Sequence, residues 1–408
     1  MDDLLIIGAG WAGLSAAAFA LHRQPNAKIR LIAQGIGSPI VTPGWLSVLD
    51  SAKGDVLAAV RDLITRHPDH PYALAGAPAL ESALRLFAQI STEIGLGYRA
   101  ELPLHNTHVF TALGASQTPA SLPIGYQGAA QAGAQPLFVG FAGWRDYYPA
   151  LSGGRFALIT PPISNRPWDL TPTDYARHFD QPAFCEAVAH ALKPHLNDAT
   201  SVAFPAVLGL AHHAETLQTL QTALDVPVFE LPTLPPSVPG TRLFNGLRRY
   251  LLDRRVRLQV GHPVGCGVLD GKRVVGVEVI AAGKPQFFGA KAVILATGNL
   301  YGGGLFSDDY GRVWEGIFGI PVQYTADRQQ WFNAHMLDER GHAVHHFGVR
   351  ANTHMQPLGA DGEPLAENLF VAGHIMAHPI GAPSPFEMAE GVALATAYRA
   401  VESALMQP

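Results

Sequence analysis

Four apolar residues, Leu4-Leu5-Ile6-Ile7, run without a break and stop at a glycine-rich stretch, residues 8–13. An unbroken apolar run of this length predicts a strand covered on both faces. The alanine-rich segment 14–21 reads as a helix. Residues 28–32 then alternate polar and apolar, the period of a second strand. Strand, helix and strand in this order make a βαβ unit at the start of the chain. Glycine, proline and serine crowd residues 35–55, which read as loop. Helical spacing returns at 55–66 and 79–95.

From about 98 to 230 the pattern changes. Short apolar strands are expected near 137–139 and 155–160, and a helix near 183–192. Few glycine signatures occur there, so this stretch reads as an insertion. After a proline-rich loop at 231–240 a helix is expected over 241–254. Three strands follow near 264–269, 273–280 and 286–295. Asp270-Gly271 marks a tight hairpin turn between the first two. Residues 290–298 form a buried strand running into Gly298. A last strand at 368–373 precedes a helix over 389–404. The expected architecture is α/β: a Rossmann-like binding domain with an inserted α+β second domain. The binding domain is discontinuous, residues 1–55, 231–300 and 341–408. The inserted cap or substrate domain covers 56–230, and 301–340 is a smaller excursion.

Composition narrows the function. The 408 residues carry 28 Lys and Arg against 33 Asp and Glu, a net charge of −5, without a basic tract. Nucleic acid is therefore not an expected partner. No apolar run reaches the ~20 residues that a membrane-spanning helix needs, and the acidic start, Asp2-Asp3, is unlike a signal peptide. Two distant cysteines, Cys185 and Cys266, make neither a disulfide framework nor a metal pattern. A cytoplasmic setting and no metal site are expected.

The chemistry is concentrated at glycines. Gly8-Ala9-Gly10-Trp11-Ala12-Gly13 follows a strand and opens a helix, the context this motif requires. Gly8 allows the turn, Gly10 lets a phosphate approach the backbone, and Gly13 lets helix and strand pack closely. The helix start supplies free N–H groups and positive dipole to the anion. An acidic residue is expected ~20 positions later to hold a ribose. Ala33 and Gln34 stand there instead, which leaves open a cofactor without the adenosine half. Thr42-Pro43-Gly44 lie where related folds wrap a flavin. Thr297-Gly298 let the chain pass under a cofactor. Gly373 and Gly391 flank the start of the last helix, whose positive end suits a reduced flavin.

Four segments then carry a resemblance: residues 8–13, the proline-rich 231–243, Ala296-Thr297-Gly298 with Gly302-Gly303-Gly304-Leu305, and Phe347-Gly348-Val349. With the middle matching in order, the chain resembles the flavin-binding B subunit of anaerobic glycerol-3-phosphate dehydrogenase. That family sits within the two-domain flavoproteins related to fumarate reductase. The resemblance implies FMN or FAD, a larger flavoprotein A-type subunit and an iron–sulfur C-type subunit. It also implies electron flow from glycerol 3-phosphate, a small anionic substrate, to quinone. Membrane contact would come only through a partner, peripherally at the inner membrane. One departure stands out: the family's glycine-rich turn before the last helix is replaced by residues 382–391, with Gly391 surviving.

An alcohol dehydrogenase using a flavin needs a base for the hydroxyl proton, and a phosphate needs a cation. His346, Arg350 and His374 are the candidate catalytic residues, with His345 and His378 beside them; His374 is also a candidate flavin contact, next to Gly373. Arg242, after Gly240-Thr241, is a candidate anion ligand. Two alternatives stay open: a stand-alone flavin dehydrogenase of another small alcohol or hydroxy acid, and a non-catalytic flavin relay or structural subunit.

Overall fold

The computed structural model describes residues 1–131, 135–163, 166–336, 338 and 341–406. The opening run is strand β1 (Asp2–Ile7), and all but Asp3 are buried. Helix α1 (Trp11–Arg23) starts three residues earlier than the alanine pattern suggests. It begins directly at the glycine turn, and its last turn carries His22 and Arg23, which suit the negative helix end. Its side chains from Trp11 to Leu21 are all buried, because it lies between the sheet and two further helices. β2 (Ile29–Ala33) pairs parallel with β1, which completes the βαβ unit.

Helices α2 (Val56–Arg66), α3 (Pro71–Ala75) and α4 (Ala77–Glu93) follow. Val60, Leu63, Leu80, Leu84, Phe87 and Ile90 join the same core as α1. The sequence grouped 56–104 with the insertion. In the structure the apolar faces of these helices lie instead against the larger core, because α4 packs along the C-terminal helix.

The second core is built on β3 (Pro136–Phe141), β4 (Phe156–Ile159), β5 (Ser201–Pro205) and β6 (Val228–Leu231). The strand order is β4-β3-β5-β6 and every pair is parallel. Helices α5 (Pro172–Phe179), α6 (Pro182–Leu196) and α7 (His213–Leu224) make the crossovers. The unit expected to be α+β is thus arranged as α/β, because helices separate β4 from β5 and β5 from β6. A capping box between Thr171 and Asp174 starts α5.

The chain returns to the large core through α8 (Val238–Asp253). Ser237 caps it by accepting from Gly240 N, so the proline-rich stretch is a helix start. Then come β7 (Arg257–Val260), β8 (Val264–Asp270), β9 (Arg273–Val279) and β10 (Gln286–Leu295). The main sheet runs β8-β9-β10-β1-β2-β7. The first part of β10 pairs antiparallel with β9, and the second part lies parallel to β1. β11 (Leu369–Val371) flanks β10 on its other side. Helix α9 (Ala389–Leu405) crosses α1 and α4 and closes the core. The 301–340 excursion lies partly outside the described residues, and a short hairpin stands within it, Leu305–Ser307 against Val313–Glu315.

Candidate functional site

The three glycine segments meet although they lie far apart in sequence. Gly8 has φ 116°, and a Cβ there would fall 2.2 Å from Ala296 O. A Cβ at Gly13 would fall 1.9 Å from Gly8 O. Gly373 sits against Ala12, with 2.7 Å between its missing Cβ and Ala12 Cβ. Its N–H is held by Thr396 Oγ1 at 2.8 Å. These contacts bring Ala9, Thr297, Gly298 and Gly373 around the start of α1.

That helix start suits an anion. Gly10 is the N-cap, no side chain accepts from the first turn, and no acidic residue lies in it. Trp11, Ala12 and Gly13 are nevertheless buried. A buried, uncapped helix end leaves N–H groups that only a ligand or water can satisfy. A Cβ at Gly10 would lie 3.5 Å from Ser38 Oγ, so Ser38 stands over the turn with a free hydroxyl to offer. Thr297 Oγ1 is buried without a partner. These groups fit the phosphate and polar edge of a flavin.

Ala33 is buried at the end of β2, and its carbonyl accepts from Gly261 N and His262 N. Gln34 beside it is exposed, so the side chain at this strand end is an amide rather than a carboxylate. Thr42-Pro43-Gly44 is tied down by aromatic donors. Trp11 Nε1 donates to Thr42 Oγ1 at 3.4 Å, Tyr126 OH to Pro43 O at 2.8 Å, and Tyr98 OH to Gly44 O. The segment therefore lies at the same helix start, fixed by α1 on one side and two tyrosines on the other.

The start of α9 is crossed by residues 45–50. Gly391 N donates to Ser47 O at 3.0 Å, and Ser47 N donates to Glu390 Oε2 at 3.1 Å. A Cβ at Gly391 would strike Tyr72 OH at 2.1 Å, so this glycine is required for close packing. The bulkier turn before it is a short 3-10 segment, Pro385–Met388, started by Ser384 Oγ. Burial pushes the Glu390 carboxyl up to about 8, and the nearby Asp50 adds to the shift. Burial likewise raises Asp50 to about 7, against the hydrogen bond from Ser47 Oγ. Sequence reasoning missed this acidic pair; the apolar sequence around each was the available signal.

Histidines gather on one side of this helix start. His346 Nδ1 lies 3.0 Å from Pro379 O, and His374 Nε2 lies 3.3 Å from Ala389 O. His378 N donates to His346 O at 3.0 Å. The ring of His378 stands 6.1 Å from that of His374 and 5.1 Å from that of His70. His70, absent from the sequence candidates, is fully buried as the residue that caps α3. Histidine is an uncommon cap and α3 is five residues long, so no periodic signal marked it. Burial lowers all four imidazoles, His70 to about 3, so they are neutral near pH 7. Arg350 is exposed, and no contact joins it to this cluster among the described residues. Despite the four imidazoles, no group of three or more His, Cys, Asp or Glu among the described residues is arranged to hold a metal ion.

Arg242 does not face an anion from solvent. It is buried, with Nη1 2.7 Å from Glu230 Oε2, Nη2 2.8 Å from Oε1, and Nε 2.6 Å from Gly209 O. The strand position of Glu230 puts its carboxylate against the first turn of α8, so the guanidinium is consumed by this pair. No helix among the described residues is long and apolar enough to cross a membrane.

The FAD binding domain family matches residues 3–155 and 174–383. The B subunit of anaerobic glycerol-3-phosphate dehydrogenase from Vibrio vulnificus strain YJ016 is 28% identical over 429 residues, covering 99% of this chain and 96% of that protein. The probable B subunit of the same enzyme from Halobacterium salinarum strain R1 is 30% identical over 425 residues, covering 98% and 96%. Among solved structures, 3-ketosteroid delta1-dehydrogenase from Sterolibacterium denitrificans aligns over 100% of both chains, with 12% identity and a TM-score of 0.49. The chain belongs to the FAD binding domain family and, within it, to the family of anaerobic glycerol-3-phosphate dehydrogenase B subunits, a flavin-dependent oxidoreductase family.

Proposed function

We propose that this chain is the flavin-bearing B subunit of an anaerobic glycerol-3-phosphate dehydrogenase. It oxidises glycerol 3-phosphate to dihydroxyacetone phosphate. Electrons leave through a larger flavoprotein A-type subunit and an iron–sulfur C-type subunit to quinone, and the complex sits peripherally at the inner membrane. The observation that carries this reading is the set of neutral histidines at the start of α9, beside the converging glycines.

When bound, the flavin supplies the hydride acceptor. The chain supplies the rest. Gly8 to Gly13, Ser38 and Gln34 hold the phosphate and ribityl end at the start of α1. Thr42, Pro43, Gly44, Thr297, Gly298 and Gly373 shape the walls around it. A carbonyl can only accept, so His346 carries its proton on Nδ1 and His374 on Nε2. Their remaining nitrogens, Nε2 of His346 and Nδ1 of His374, present lone pairs that can receive, directly or through a neighbouring ring, the proton the hydroxyl releases. Arg350, exposed and outside the cluster, is the cation that would have to reach in to the phosphate.

One observation favours a second reading. No lysine or arginine joins the histidine cluster among the described residues, so a phosphate would have to recruit its cation from outside it. In that reading the chain relays electrons from its A-type partner. Anaerobic addition of glycerol 3-phosphate to the purified flavin-loaded chain decides between them. Bleaching of its flavin, slowed at least ~100-fold by His346→Gln, supports oxidation here. A flavin that stays oxidised until the partner is added overturns it.

A further inference from the structure

His378 packs ring against ring with His70 and His374 and is tied to His346 through the backbone, and the hydrogen bonds of these four imidazoles fix most of their protons. His70 Nδ1 accepts from Tyr72 N at 3.1 Å, so the ring carries its proton on Nε2. That Nε2–H is buried without a partner. His346 Nε2 and His374 Nδ1 are lone pairs, as their backbone contacts require. His378 is 1% exposed, and neither of its ring nitrogens has a partner. It stands edge-on to His70 at 5.1 Å and beside His374 at 6.1 Å. Unsatisfied buried polar atoms are rare and costly, and here they concentrate on two adjacent rings.

A ligand group that satisfies this space must accept one hydrogen bond and donate another. A hydroxyl does both. A phosphate or carboxylate offers acceptors alone and would meet lone pairs. An apolar group would leave the His70 donor and both His378 nitrogens unpaired.

We propose that His70 and His378 form the recognition site for the secondary hydroxyl of the substrate, with His378 as the residue that takes its proton; this rests on the alcohol-oxidising reading above. The hydroxyl oxygen accepts from His70 Nε2–H and donates to a lone pair of His378. On oxidation the carbinol C–H bond breaks, and a bound flavin would supply the acceptor for its hydride. The O–H bond breaks and its proton passes to His378, and the C=O bond forms from the electrons of the O–H bond. His378 can hand a proton from its other nitrogen to the lone pair of His346 or His374. The product carbonyl, which can only accept, keeps the bond from His70. His70, His378 and the two lone-pair histidines are thus a hydroxyl-selective set, and specificity for an alcohol precedes any contact with the phosphate.

Two variants test this. His378→Phe removes both unpartnered nitrogens. His70→Asn keeps a side-chain oxygen to accept from Tyr72 N but withdraws the ring donor. Binding of glycerol 3-phosphate and of 3-hydroxypropyl phosphate, which lacks the secondary hydroxyl, is measured by calorimetry on the flavin-loaded protein. The flavin is reduced beforehand so that the alcohol binds without reacting. Imidazole 15N spectra are recorded alongside. The wild type should prefer the alcohol at least ~100-fold, since a site built for a hydroxyl rejects the analogue lacking it. The preference should fall to a few-fold in either variant, and the His70 and His378 resonances should move on binding. Variants that keep the full preference overturn the proposal while leaving the dehydrogenase reading intact. If neither phosphate binds the wild type, the proposed substrate is wrong. Glycerol at high concentration then serves as probe: shifts at His70 and His378 sustain the hydroxyl site, and their absence overturns it.

Discussion

Arg242→Met is the substitution whose effect follows most directly from the structure. It removes the guanidinium but keeps much of the apolar stem, so packing loss is small. Glu230 is then left 2% exposed, with Leu208 N at 2.7 Å and His213 Nε2 at 3.8 Å as its remaining polar neighbours. Removing one partner of a buried ion pair costs ~3–5 kcal/mol, because the survivor keeps its desolvation penalty. That is a large share of a net stability of ~5–15 kcal/mol. The pH dependence gives an independent sign. In the wild type, burial raises the Glu230 carboxyl, but the charge and hydrogen bonds of Arg242 outweigh it and the group lies below its ordinary value. Its contribution is therefore present above that ordinary value and is lost as the pH falls towards the folded one. In the variant, burial, the largest cause, is opposed only by the Leu208 N–H and His213, so the carboxyl should titrate above its ordinary value and the variant should lose stability as the pH rises. The gap between the two proteins should widen from pH 5 to pH 8. Urea denaturation followed by tryptophan fluorescence measures it. Replacing both partners, Arg242→Met with Glu230→Leu, should recover most of the loss. A single variant within 1 kcal/mol of wild type, or a gap that does not change with pH, would refute the reasoning.

Gly10→Ala should fold normally, since φ at this position is −78° and the nearest atom to a new Cβ lies 3.5 Å away. It should weaken flavin binding at least ~10-fold by blocking approach to the helix start; unchanged flavin retention on dilution would count against the anion site. Gly13→Ala, with its Cβ 1.9 Å from Gly8 O, should lower the melting temperature as well as the flavin content. Glu390→Gln should flatten the alkaline limb of the stability curve. Folding favours the protonated carboxyl, so the stabilisation is full below the ordinary value of 4.5 and is lost as the pH rises through about 8. The loss is on the order of 5 kcal/mol, and a wild type equally stable at pH 5.5 and pH 9 would contradict it. His378→Phe should soften the acid limb: its imidazole stays neutral when folded, so the wild type loses ~1.4 kcal/mol per pH unit from this group below about 6.5.

The parts of this architecture that the sequence made legible are those whose cause is local. β1, the glycine turn and α1 are written in consecutive residues, and so is the start of the last helix. The proline-rich stretch hid a helix start because Ser237 caps a turn that two prolines flank. The parallel order of the smaller sheet and the docking of α2 to α4 on the larger core depend on which apolar face meets which, and no short pattern records that. His346 and His374 were legible as candidates because they flank glycines. His70 was not, since its importance arises from a ring contact with His378, some three hundred positions away. Arg242 looked like an anion ligand after Gly240-Thr241 because its partner Glu230 reads, in sequence, as an ordinary strand residue. The similarity to the B subunits of Vibrio and Halobacterium extends nearly end to end and is independent of these misplacements.

The order of strands in the main sheet sets a timetable for synthesis. Leu4 pairs with Ile29 on one side and with Ala292 on the other. The first partner emerges almost at once. At ~5–20 residues per second the second follows only after ~15–60 seconds. During that interval β1 presents an unpaired edge that is apolar from Leu4 to Ile7, the kind of surface that recruits other strands. The smaller parallel unit, whose strands all lie between residues 136 and 231, can be finished while β1 still waits. A ribosome carrying this chain therefore holds a completed satellite and an open parent sheet at the same time. Chaperone capture before residue 286 would act on the N-terminal edge, and slow translation there, which prolongs its exposure, is expected to lower the soluble yield.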